Sequence, residues 1–182
     1  MEEKNIKTKD LSVEEAAQHL AAFAVDREDL KTLMAIVPPE SELNMTTVEY
    51  ELGILKILSV GWGLSYFMTA TDPHKVALTD AYWLTIQELS RNINMLTETT
   101  TGTQIDYFNI LKERLDTYVE AMQSTPEGTR EPAGVMGPTF AALCNAHGDA
   151  MAVLTGTKMF TLTLGAVNEY LNTVTFQDIK LN

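Results

Sequence analysis

One stretch of this sequence decides the fold, and from Thr46 to Met68 it reads TTVEYELGILKILSVGWGLSYFM. Side chains recur along it at spacings of four and three, the period of one face of a helix. The residues on that face are Val48, Leu52, Leu55, Ser59, Trp62 and Tyr66. The opposite face is apolar too, with Ile54, Ile57, Leu58, Leu64 and Met68. Because a helix that is apolar all round is normally buried, the sequence predicts a central helix here, the third in the chain.

Further helices are predicted on both sides of this central helix. Ser12 and Glu15 have the spacing of a capping box, in which each side chain satisfies an amide at a helix start. Asp26 is placed to begin a short second helix, and Asp72 followed by a proline is a start signal for the fourth. A fifth helix is amphipathic, with inward residues Ile105, Phe108, Leu111, Leu115, Tyr118 and Met122. The threonine-rich residues 97–103 are predicted to form the turn before it.

The last part of the chain is almost free of charge. Between Pro132 and Asn168 only Asp149 and Lys158 are charged, and a buried last helix is predicted to open at Pro138. Residues 160–164 and 174–176 also alternate between threonine and apolar side chains, which is typical of strands. Helix is favoured for the first of these stretches, and both alternatives stay open after residue 173.

The predicted fold class is therefore all-α. Residues 1–182 are expected to form a single domain, a bundle of five to six helices with buried third and last helices. A hydrophobic share of 45% with 21% charged residues excludes a disordered chain. Residues 1–10 are predicted to be a mobile tail. Residues 124–137, which hold two prolines and three glycines, are predicted to be a long loop.

The charge balance limits the classes of partner. With 13 basic and 25 acidic residues the formal net charge is -12, so the average field of the protein repels nucleic-acid phosphates. Anionic membrane surfaces are disfavoured for the same reason. A basic protein partner is compatible with this charge, and so is an acidic surface that serves solubility alone.

Cysteine usage and the N-terminus both point to the cytoplasm. Cys144 is the only cysteine, so no disulfide can form within the chain, which is typical of a reducing compartment. The first residues, MEEKN, are polar and lack the apolar core of a signal peptide. The metal, nucleotide and nucleophile motifs HExxH, Glu-x-x-His, GxxxxGK[ST], GxGxxG and GxSxG do not occur. We therefore predict no catalytic residue, no metal and no cofactor.

Two groups of residues are candidates for ligand binding. Cys144 and His147 lie three apart, and on a helix they would share a face and bring a thiol close to an imidazole. Trp62, Tyr66 and Trp83 concentrate aromatic surface on the third and fourth helices, where they could line an apolar pocket. The alternative interpretation of both groups is that they belong to the core.

Two functional hypotheses follow. The first is a non-enzymatic acidic bundle that acts through protein–protein contacts as a homodimer, with glycines of the last helix allowing a close symmetric crossing. The second is a small-molecule or metal-binding protein with a pocket between the third, fourth and last helices. Its polar groups would be Cys144, His147 and His74.

Overall fold

A small parallel sheet ties the two ends of the described chain together. The computed structural model describes residues 9–124 and 131–177. Strand β1, Lys9–Leu11, pairs in parallel with strand β2, Val174–Phe176. Residues 174–176, for which the sequence left helix and strand open, therefore form a strand. The first two residues of β1 do not belong to a mobile tail as predicted, and residues 1–8 of that tail lie outside the described residues.

Helices make up the rest of the regular structure in the described ranges. They are α1 Val13–Val25, α2 Glu28–Met34, α3 Met45–Phe67, α4 Lys75–Thr101, α5 Tyr107–Ser124, α6 Pro132–Leu143 and α7 Ala150–Thr173. Six of them have 12 residues or more, and α2 has only 7. The prediction of an all-α bundle is confirmed.

Helix α3 is the centre of the bundle, as its two apolar faces predict. It contacts all six of the other described helices, α1, α2, α4, α5, α6 and α7. Leu52, Ile54 and Leu55 are fully buried, and they belong to both of its faces. Burial of apolar area of this extent is the main favourable term in folding.

The uncharged C-terminal run forms two helices and not the one that was predicted. Helix α6 begins at Pro132, so Pro138 lies inside it, and the predicted loop over 124–137 is wrong from residue 132 onward. Residues 125–130 of that loop lie outside the described residues. A turn separates α6 from α7, with positive φ angles of 56° at Asn145 and 74° at Gly148.

Helices α6 and α7 cross closely because glycines remove side chains from their contact. A Cβ atom at Gly156 of α7 would lie 2.6 Å from the Cβ and Cγ atoms of Phe140 of α6. A Cβ atom at Gly137 would lie 2.5 Å from the backbone oxygen of Val153. The expected role of the last-helix glycines in a symmetric dimer therefore does not hold for Gly156, which packs within the chain. Helix α7 is buried along one face, and Leu162 on its other face is 56% exposed.

The threonine-rich segment is helical where a turn was predicted. Helix α4 continues to Thr101, and Gly102 ends it with a left-handed φ of 70°. The hydroxyl of Thr99 donates to the carbonyl oxygen of Met95, and that of Thr101 donates to the carbonyl oxygen of Thr97. Both hydroxyls therefore have hydrogen-bond acceptors within the helix. The end of α4 therefore extends about one and a half turns further than its periodicity indicated.

Candidate functional site

An open groove lies between the end of α1, helix α2, the first half of α3 and the second half of α4. Its volume is about 810 Å³, and we call it the α1–α4 groove. It is lined by Ala24, Val25, Asp26, Arg27, Leu30, Thr46, Glu49, Tyr50, Gly53, Ile57, Leu89, Asn92, Ile93, Leu96, Thr97, Ile105 and Tyr107. Most of this surface is apolar, which is typical of binding sites for proteins and for small molecules.

Two long helices supply the walls of the groove. Helix α3 contributes residues 46, 49, 50, 53 and 57, and α4 contributes 89, 92, 93, 96 and 97. Both rows follow the three-and-four spacing of a helical face. The two faces therefore run side by side along the groove, a shape that suits a third helix packed between them.

The groove stays open because the other described residues cover the last turns of α4 only in part. Ser90 is the last buried residue of α4, although the helix continues to Thr101. At the floor, Gly53 has no side chain, and a Cβ there would contact only Leu30, at 3.7 Å. Leu96 is 66% exposed and Tyr50 is 41% exposed, so apolar surface is left in water.

A buried lysine holds the α1–α2 corner in place beside the groove. The Lys56 side chain is fully buried, and its Nζ donates to the backbone oxygen of Asp26 at 3.0 Å. The same Nζ lies 2.8 Å from Oδ2 of Asp29 and 4.3 Å from the centre of the Phe23 ring. Since a buried ammonium needs such partners, these contacts fix the wall that faces α4.

The polar groups of the groove lie mainly on its rim. Arg27 of the α1–α2 link pairs with Glu49 of α3. The Tyr50 ring packs edge-on against Tyr107, and partial burial raises the pKa of Tyr50 above its ordinary value. On the α4 wall, the side chain of Asn92 forms no hydrogen bond with any other described residue. The rim thus combines one satisfied ion pair with polar groups that are available to a ligand.

The three aromatic candidates lie elsewhere in the fold. The Trp62 ring is half-buried between Tyr118 and Phe160, at centroid distances of 5.8 and 6.1 Å. Trp83 packs against Tyr82, and a Cβ at Gly61 would lie 2.5 Å from its ring. Tyr66 is 77% exposed at the end of α3. None of the three lines the α1–α4 groove. Trp62 and Trp83 pack against the core, which agrees with their alternative interpretation.

Cys144 and His147 do not share a helical face, because the helix ends before them. Helix α6 stops at Leu143, Cys144 is its buried C-cap residue, and His147 is exposed in the following turn. Burial, with a smaller effect of the nearby Glu51 carboxylate, raises the pKa of Cys144 to about 12. The expected thiol–imidazole pair on one helix is therefore not formed, and the thiol is neutral at ordinary pH.

A buried ion pair that sequence reasoning missed lies close to Cys144. Glu51 of α3 is 3% exposed and accepts from Nε and Nη2 of Arg114 at 2.9 and 2.8 Å. Glu51 stands between the apolar Val48 and Leu52 of one helical stripe, and that position was the available signal.

Tyr118 completes this buried cluster. Its hydroxyl is buried and has no hydrogen-bond partner among the described residues. Burial raises the pKa of Tyr118 well above its ordinary value, and Glu51 adds to that effect. Within residues 9–124 and 131–177, no group of three or more His, Cys, Asp or Glu side chains is placed to hold a metal ion.

In the described part of the chain, α7 alone has the length and apolar composition of a membrane-crossing helix. One face of α7, including Met159, Phe160 and Val167, is buried against the bundle, as in a core helix. A comparison with protein-family models finds no match to this chain, and comparisons with curated proteins and with solved structures find none either. The geometry of the groove is therefore the best indication of function.

Proposed function

We propose that this chain is a non-enzymatic protein that binds another protein in the α1–α4 groove. The observation that carries the proposal is an apolar groove of about 810 Å³ that the chain leaves open to solvent. A contiguous apolar surface with a polar rim is typical of sites that bind proteins or ligands. The partly exposed Val25, Tyr50 and Leu96 put apolar side chains where a partner would cover them.

The shape of the groove favours a helix as the bound segment. Its walls are the faces of α3 and α4, and the ridges of a third helix fit between such faces. An amphipathic helix lying in a hydrophobic groove is a recurrent mode of recognition between proteins. The net charge of -12 favours basic residues on the outer face of a heterologous partner.

The rim supports binding more than chemistry. Arg27 and Glu49 neutralise each other, so neither is placed as a free acid or base above the groove. The buried thiol of Cys144 does not line the groove. An interaction protein located in the cytoplasm remains our proposal for the chain as a whole.

The test uses a display library of amphipathic helical peptides selected on the purified protein. Enriched peptides should bind the wild type and L162E with equal Kd, because Leu162 lies on α7 away from the groove. The variants L96E and G53L should weaken binding at least tenfold, the first by burying a charge and the second by filling the floor. Peptides that bind all four proteins equally, or a library that yields no binder, would overturn the proposal.

A small apolar ligand is the second candidate, and the groove volume favours it specifically. Ligand pockets are typically about 300–1,000 Å³, a range that includes this groove. The site differs from the expected pocket between the third, fourth and last helices, since no residue of α7 lines it. Native mass spectrometry should then show an organic adduct on the freshly purified wild type that is lost from G53L. A wild-type mass without any adduct argues for the protein ligand.

A further inference from the structure

The groove-facing side of α4 is free of charge. Its residues Leu89, Asn92, Ile93, Leu96 and Thr97 are apolar or neutral. The charged residues at this end of the helix are Glu88, Arg91 and Glu98, and none of them lines the groove. In a chain with a net charge of -12, a long neutral face is a surface on which two like-charged molecules can approach.

Two polar side chains on this face have no hydrogen-bond partner within residues 9–124 and 131–177. Neither the Asn92 amide nor the Thr97 hydroxyl forms a hydrogen bond with another described residue. Their neighbours differ, since the Asn94 side chain accepts from the Tyr107 amide at 2.9 Å and Thr99 donates to the backbone oxygen of Met95. Asn92 and Thr97, whose side chains have no hydrogen-bond partner among the described residues, are thus five positions apart.

The spacing of these residues is self-complementary in an antiparallel pair. When two copies of α4 run antiparallel about a two-fold axis between positions 94 and 95, Asn92 of one copy lies opposite Thr97 of the other. In the same register Ile93 lies opposite Leu96. At these four positions polar side chains meet polar ones and apolar side chains meet apolar ones, twice over by symmetry, as an isologous interface requires. Leu89, farther from the axis, lies opposite Thr100.

We propose that the segment bound in the α1–α4 groove is the end of α4 from a second copy of this chain. This inference rests on the proposed function and names its partner. The two α4 ends pack antiparallel, and each lies in the groove of the other molecule. The contact covers Leu96, which is 66% exposed in the single chain. A heterologous basic helix is the competing occupant, and the salt dependence separates the two.

Sedimentation velocity across a concentration series, on the full chain, provides the test. The wild type and L162E should dimerise alike, while L96E should raise the dimer Kd at least a hundredfold because the interface buries two unpaired carboxylates. Since each copy is strongly acidic, raising the salt concentration should tighten the dimer, whereas it would weaken binding of a basic partner. A wild type that stays monomeric at high micromolar concentration would overturn the dimer.

The register has a test of its own. In an equal mixture of the N92C and T97C variants, a short bis-maleimide should join residue 92 of one copy to residue 97 of another more efficiently than it joins like residues. Wild-type Cys144 is buried, and the wild type without either variant is the control for its reaction. Random pairing in an equal mixture already gives about twice as much of the 92–97 pair as of either like pair. A yield no higher than this ratio would overturn the register.

Failure of the inference can be distinguished from failure of the proposed function. A monomeric protein whose selected helical peptides still depend on Leu96 retains a protein-binding groove with a different occupant. If the protein neither dimerises nor binds such peptides, both the proposed dimer and the proposed protein-binding function are overturned.

Discussion

Two helical glycines of this protein lie in opposite kinds of surroundings. Gly156 of α7 stands where the helix touches Phe140, and a Cβ there would lie 2.6 Å from that side chain. Gly53 of α3 faces the groove, and a Cβ there would meet only Leu30, at an ordinary contact distance of 3.7 Å. The first glycine brings two helices together, and the second leaves space for something else.

The α6–α7 crossing contributes to the stability of the fold, whereas the α1–α4 groove is the surface proposed to bind a partner. At the α6–α7 crossing the Phe140 side chain lies directly against Gly156, so an added methyl group has nowhere to go. At the α1–α4 groove, side chains such as Leu96 remain exposed, at the cost of apolar surface in water. The closed crossing should therefore be sensitive to substitution, and the groove should tolerate it.

The largest expected effect concerns the reactivity of Cys144, the buried residue at the end of α6. With its pKa raised from 9.0 to about 12, the thiolate fraction at pH 8 is about a thousandfold below that of an ordinary thiol. Iodoacetamide should therefore label the native protein about a thousandfold more slowly than the denatured chain. The rate should rise about tenfold per pH unit above pH 8, because the reactive form is the thiolate.

A cysteine placed in the groove is the matched control for this measurement. N92C adds a second thiol to the open region, and at a protein concentration where the chain is monomeric that thiol should react at nearly the rate of the denatured chain. If Cys144 reacts as fast as residue 92 in the native protein, the end of α6 is open and the contrast between the two regions fails.

The second prediction changes the glycine of the crossing itself. G156A should lower the free energy of unfolding by about 2–3 kcal/mol, because Phe140 must move or leave its rotamer. The control is G165A on the same helix, where a Cβ meets nothing within 4 Å. It should raise the unfolding free energy by about 0.5–1 kcal/mol through helix propensity.

Urea unfolding followed by circular dichroism at one fixed protein concentration measures both variants. The fixed concentration matters because dimerisation would add to the apparent stability. Equal stabilities of G156A and G165A would show that α6 and α7 are not in close contact.

Periodicity predicted the helices well, because each helix has to bury a stripe of apolar side chains. The capping box of α1 is present, with hydrogen bonds of 2.9 and 3.1 Å between Ser12 and Glu15. The break between α6 and α7 was missed, because an uncharged apolar sequence looks alike in one long helix and in two. Asn145 and Gly148 carried the signal for the turn, since both residue types accept positive φ.

The third prediction concerns the hydroxyl group buried beside the closed crossing. Since the Tyr118 hydroxyl has no partner among the described residues, Y118F should raise the unfolding free energy by about 1–2 kcal/mol. The matched control is Y82F, because the Tyr82 hydroxyl donates to the Ile57 carbonyl at 2.8 Å. That variant should lose about 1 kcal/mol or more. A loss in both variants would mean that Tyr118 has a partner, such as an ordered water.

The groove itself was beyond prediction from the sequence for a physical reason. The pattern of α4 shows that Leu89, Ile93 and Leu96 share one face, but it does not show that the neighbouring helices stop short of covering that face. The aromatic candidates Trp62 and Trp83 were selected by composition, and composition does not separate a packed ring from a pocket wall. Whether a helical face is covered depends on where the other helices pack, and the sequence of α4 does not contain that information.

The smallest expected effect on the unfolding free energy is that of a substitution at Gly53 in the α1–α4 groove. Its sign is opposite to that expected for G156A at the α6–α7 crossing. G53A should raise the unfolding free energy by about 0.5–1 kcal/mol, because alanine favours the helix and its Cβ fits at 3.7 Å from Leu30. Dimerisation should persist in G53A, since one methyl group leaves most of the groove open, and should be lost in G53L, whose side chain occupies the floor. Urea unfolding and sedimentation on the same samples measure both quantities. If G53A destabilises the chain as G156A does, the floor is already filled, and no second helix can lie in the groove.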